Sequence, residues 1–181
     1  HSAPRAESYP LSPIQENIYV QSSMAPDSMA YHMPGAFRLS FVPDPARLEA
    51  AFQALIDQDD LYRTAFRFQA DGLRQVILEQ VPFALPILEA PDLNAAFSAF
   101  LQPFDLSSPP LLRAALWQAD PQSWYLLVDV LHIVGDGVST PLLFQRLDAL
   151  YQGQTVPVPL TYKDYCVWRA ALPGQAEEAA H

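Results

Sequence analysis

The sequence predicts an α/β fold in which a mixed sheet is flanked by helices. Three observations predict it. Two strongly apolar stretches, residues 111–118 and 123–132, read as neighbouring strands joined by a turn at Ala119-Asp120-Pro121-Gln122. Asp71-Gly72, between two alternating stretches, signals an antiparallel hairpin. Helical runs stand between the strands instead of forming a block of their own, and the antiparallel hairpin excludes a regular doubly wound parallel sheet.

The elements follow in order. Ser12-Pro13 opens a first helix, serine capping free amides and proline suiting the first turn, with Ile14 and Ile18 on its apolar side. Residues 22–34 read as a loop carrying Met24, Met29, Tyr31, His32 and Met33, and residues 36–40 as a strand. Asp44-Pro45 caps a second helix to about Asp57, because Leu48, Ala51, Phe52 and Leu55 recur at helical spacing. The hairpin strands are residues 63–69 and 73–78; residues 82–88 suggest a short edge strand and 93–101 a helix ending before Pro103. After the two apolar strands, Thr140-Pro141 starts a helix that turns Leu143, Leu147 and Leu150 inward and stops at Gly153. Residues 155–160 are extended and broken by proline, and residues 162–171 form an aromatic helix. Residues 1–8 carry no pattern and read as a linker or expression remnant, 9–172 as the folded unit, and 173–181 as a frayed tail.

Composition narrows the function. The chain has 181 residues, half of them apolar, enough to bury a core. Ten basic residues against twenty acidic ones give a net charge of −10, and no basic stripe exists to displace counterions from a nucleic acid. A single cysteine, Cys166, excludes a disulfide framework and suits a reducing, cytoplasmic setting; in its aromatic helix it reads as a small buried hydrophobe. No apolar window is long enough to span a membrane.

The stretch with most chemical content is Leu131-His132-Ile133-Val134-Gly135-Asp136-Gly137. A histidine at a strand end can take a proton from an attacking amine or hydroxyl. Gly135 and Gly137 would allow a sharp bend, and Asp136, near a helix start, would fix that bend by accepting amide hydrogen bonds. A lone histidine on an apolar strand is also commonly a packing residue, and His32 in its methionine-bearing loop reads as a surface or packing residue. His132 and Asp136 are too few to hold a metal, so no metal site is expected. Phosphate-loop, dinucleotide and nucleophile-elbow motifs are absent from the sequence.

Several stretches together resemble nonribosomal peptide synthetase condensation domains: Leu11-Ser12-Pro13-Ile14-Gln15, Asp60-Leu61-Tyr62-Arg63-Thr64-Ala65-Phe66, Pro103-Phe104-Asp105-Leu106-Ser107 with Pro110-Leu111-Leu112-Arg113, His132 with Asp136-Gly137, and Tyr162-Lys163-Asp164-Tyr165-Cys166-Val167-Trp168. They stand in the family's order across residues 11–168, as in the N-terminal lobe of such a domain. The resemblance implies half of a chloramphenicol acetyltransferase-like pair of lobes. It implies that an amine on one carrier protein's phosphopantetheine arm attacks an upstream thioester to form an amide, with no cofactor held by this chain itself. It implies His132 as the catalytic histidine, Asp136 as organiser of the loop, and Gly137 as room for the arm. Carrier proteins, a second lobe and neighbouring synthetase domains are the implied partners; nucleic acid and membrane are not.

Two departures qualify that implication. The family signature begins His-His, and its first histidine is Leu131 here. Strand alternation sets Leu131 on the face opposite His132, so its loss would alter packing and spare the base. The motifs of the second lobe are also missing, which predicts that this chain alone is inactive and exposes an apolar face that promotes association. The alternative is a non-catalytic module that docks a carrier protein or neighbouring domain. An epimerising relative is disfavoured because Val138-Ser139-Thr140 follows the Asp-Gly pair.

Overall fold

In a computed structural model, residues 2–157 and 160–172 are described. The expected tail at 173–181 and part of the proline-broken stretch lie outside the described residues. The elements run α1 (Pro13–Met24), β1 (His32–Arg38), α2 (Pro45–Gln58), β2 (Thr64–Gln69), β3 (Gly72–Ile77), β4 (Ile87–Leu88), α3 (Leu93–Phe100), β5 (Leu112–Asp120), β6 (Ser123–Leu131), α4 (Ser139–Tyr151) and α5 (Tyr162–Ala170). A four-stranded sheet has the order β1-β6-β5-β4, and β2 and β3 form a separate hairpin. Only the short β4 runs parallel to its neighbour; β6 is antiparallel to both β1 and β5, so the sheet is mixed.

Both faces of the sheet are covered. On one, Leu126, Val128 and Val130 meet Ile18 of α1, Phe52 and Leu55 of α2, and Leu143 and Leu147 of α4. On the other, Ala115, Trp117 and Leu127 meet Ala96 and Phe100 of α3. The helices start where caps are available: Ser12 forms a reciprocal capping box with Gln15, and Asp44 and Asp92 accept amides in the first turns of α2 and α3. Arg146 of α4 reaches Asp59 at the end of α2 at 2.7 Å, so this arginine is committed inside the fold.

Three local readings are corrected. In the hairpin, Gln69 pairs with Gly72, so Ala70 and Asp71 make the turn and Gly72 opens the return strand at φ 112°. The segment holding His32 and Met33 is strand, not loop. Pro34 and Gly35 make it look broken, but β1 is an edge strand, where proline's missing donor costs little. Residues within 1–8 touch the body: the Ala3 amide donates to Asp164 at 2.7 Å and the Ser8 hydroxyl to Gln69 at 3.0 Å.

Candidate active site

β6, an inner strand between β1 and β5, ends at Leu131. His132 therefore does not prolong the strand; it starts a 3-10 turn, His132–Val134, that buries Ile133 and Val134 and leaves the imidazole exposed. Its amide donates to the Tyr31 carbonyl at 2.8 Å, which ties the turn to the start of β1. From the other side, buried Gln15 donates through Nε2 to the Ile133 carbonyl at 3.3 Å. The turn is thus clamped between α1 and β1 while the ring stays free.

The imidazole opens onto a cavity of about 220 Å³ whose walls include Ile14, Gln15, Asp136, Ser139 and Tyr162. Leu131 lines a different cleft, with His32, Phe66 and Phe104, beyond the sheet. The two adjacent signature positions thus serve opposite sides of the fold. Tyr162 of α5 shares a 3.0 Å hydrogen bond with the Ser12 hydroxyl, and burial pushes its phenol upward in pKa. Gln15 and Tyr162 stand in motifs visible in the sequence, yet nothing in those motifs marks them as walls of the histidine's cavity. Cys166 is buried and plays no part in this opening; burial raises its thiol to about 11.

Asp136 organises the bend at the start of α4. Its Oδ1 accepts from the amides of Ser139 (2.7 Å) and Val138 (3.1 Å), and its own amide donates to the Ser139 hydroxyl at 2.6 Å. These bonds, the Ser139 amide first, hold the Asp136 carboxyl below its ordinary pKa, with the nearby His132 adding in the same direction. Neither Gly135 nor Gly137 supplies the sharp bend through left-handed backbone: positive φ occurs only at Gly72 and Gly153 among the described residues. Gly135 is extended and short of space, since a Cβ there would sit 3.3 Å from Val130 and 3.4 Å from Met33. Gly137 faces open space.

Asp136→Ala removes this cap and is expected to cost about 1 kcal/mol at neutral pH, as loss of a helix-capping acceptor does. Because folding lowers the Asp136 pKa, its contribution is complete above the ordinary carboxylate range and disappears as pH falls through the folded value. Urea unfolding of both proteins should show the gap at neutral pH and a smaller one in strong acid. An equal gap at both would show that the cap does not act through the charge.

Comparison with known proteins adds a decisive observation: the family profile described as "Condensation domain" matches residues 5–181. The chain belongs to the condensation-domain family. Tyrocidine synthase 2 of Brevibacillus parabrevis is 37% identical over 167 residues, covering 91% of this chain and 5% of the relative. Among solved structures, the starter condensation domain of rhizomide synthetase RzmA superposes at TM-score 0.80 with 28% identity, over 97% of this chain and 46% of that one. The X-domain of teicoplanin biosynthesis, in its complex with OxyB, superposes at 0.86 with 27% identity, over 98% and 41%. This condensation-family chain thus spans under half of the condensation structures it matches, as one lobe of a two-lobed domain does, and a small fraction of the curated synthases. Among its described residues no helix is long and apolar enough to cross a membrane, and no group of three or more metal-binding side chains converges.

Proposed function

We propose that this chain is the N-terminal catalytic lobe of an amide-forming condensation domain. The observation that carries the reading is the exposed imidazole of His132 at the mouth of a cavity, on a turn fixed by Tyr31 and Gln15 and followed by the bend that Asp136 organises. An acceptor amine presented there on a carrier protein's phosphopantetheine arm would meet the imidazole as base or as positioning partner; its attack on the donor thioester would form the amide C–N bond, break the C–S bond and leave the donor arm as a free thiol that takes up the amine's proton. A hydroxyl acceptor would give an ester by the same geometry. The free space at Gly137 supports passage of an arm. No role for a bound cofactor enters this scheme.

Half a tunnel positions neither arm. Orientation and exclusion of water supply much of the rate of an acyl transfer, and both need a second wall over His132. Ile14, Val138 and Leu142, exposed by 66%, 77% and 55%, are suitable for burial under such a wall. The test is a condensation assay with one donor-loaded and one acceptor-loaded carrier protein. The chain alone is expected to form no amide on the acceptor carrier, and addition of a matching second lobe to restore it. Amide formation by the chain alone, or none after a second lobe has bound, would reject the reading.

A second reading is a docking module without chemistry. The 0.86 superposition on an X-domain solved with a bound partner enzyme favours it, as does Leu131 in the signature. It predicts that the second lobe or a neighbouring domain binds this chain and that His132 is dispensable.

A further inference from the structure

The cleft beyond the sheet has no part in the chemistry at His132, yet it holds the most deeply buried titratable pair of the described chain. His32 and Leu131 are direct cross-strand partners, and Asp129 lies one pleat further along β6 on the same face. Nδ1 of His32 meets Oδ2 of Asp129 at 2.7 Å, with the two side chains 3% and 0% exposed. Phe104 stacks on the imidazole at 5.1 Å between centroids, and the Arg113 guanidinium lies over the same phenyl ring at 3.7 Å. The ring of His32 is therefore held on two sides.

This arrangement leaves Oδ1 of Asp129 buried without a partner and Nε2 of His32 unused. A carboxylate only accepts, so its bond fixes the proton of neutral His32 on Nδ1 and makes Nε2 an acceptor. Nε2 has no protein partner among the described residues, and His32 lines a cleft of about 590 Å³. Tyr19, Phe66, Phe104 and Leu131 give the cleft an aromatic and apolar side, and Ser22, Ser23, Ser28 and Ser107 line it with hydroxyls. Asp27 and Asp105 at the cleft disfavour an anion.

We propose that this cleft is a binding site for a neutral aromatic group bearing a hydroxyl or N–H donor, its ring among Tyr19, Phe66 and Phe104 and its donor on Nε2 of His32. A histidine at position 131, as the family signature has it, would intrude on the same cleft; leucine there leaves an apolar wall. The site stands apart from the cavity at His132 and does not depend on the function proposed above.

The test uses the 181-residue chain labelled with ¹⁵N-histidine and two probes, p-cresol and toluene. p-Cresol should shift the His32 Nε2 resonance saturably and leave that of His132 in place. It should bind about tenfold more tightly than toluene, since only the phenol can make the hydrogen bond. Ser23→Trp, a substitution at an exposed position of the rim, should abolish the shift. No saturable shift, equal affinity for the two probes, a shift at His132 instead, or binding unchanged in the Ser23 variant would each overturn the proposal.

Discussion

Replacing His132 by alanine is expected to lower amide formation by at least about a hundredfold in a domain assembled from this chain and its second lobe, the usual scale for loss of a positioned general base. The loss should fall on kcat, because the ring is exposed and holds no other group in place. For the same reason the stability to urea should stay within about 0.5 kcal/mol of the parent. Leu131→His is the paired control. Leu131 lines the far cleft and not the cavity at His132, so completing the His-His signature should leave the rate near that of the parent. A His132→Ala protein that keeps most of its rate would return the docking reading. A large gain from Leu131→His would show that the two faces of β6 act together.

The residues that matter most here differ in how plainly the sequence shows them. His132 and Asp136 are legible because their chemistry is local: a histidine after an apolar run, then an aspartate whose carboxylate accepts the Val138 and Ser139 amides at the start of α4. The strand β6 and helices α2 and α4 are legible from periodicity alone. The end of β6 is not, since the periodic pattern runs on through His132 while the contacts that hold the 3-10 turn there, to Tyr31 and Gln15, come from distant parts of the chain. Gly135 stands out in the sequence for a different reason from the one that constrains it. Its constraint is contact with Val130 and Met33, which are brought together only by folding. His32 is hidden altogether. Pro34 and Gly35 disguise an edge strand, and its partner Asp129 stands 97 positions away, on a strand whose two faces are both buried. No local pattern encodes such a pair.

That pair should govern stability more than any exposed group near His132. His32→Leu strands the Asp129 carboxylate in the interior with Oδ2 unpaired, and Oδ1 already lacks a hydrogen bond. Arg113 offers only its field, because its guanidinium is committed to the carbonyls of Gln102 (2.5 Å) and Pro103 (3.1 Å). Removing the hydrogen-bond donor of a buried carboxylate costs about 1–3 kcal/mol or more, a sizeable part of the roughly 5–15 kcal/mol that keeps an ordinary domain folded. The compensating change is Asp129→Val in the same chain. It removes the stranded charge, supplies a β-branched side chain suited to a strand, and leaves Arg113 with its carbonyl partners. The double variant should therefore unfold at higher urea than His32→Leu alone, with a coupling of at least about 1.5 kcal/mol. Losses that simply add, or a His32→Leu cost below about 1 kcal/mol, would mean that Asp129 is not an ionised partner of His32. The fixed tautomer on which Nε2 depends as an acceptor would then fall with it.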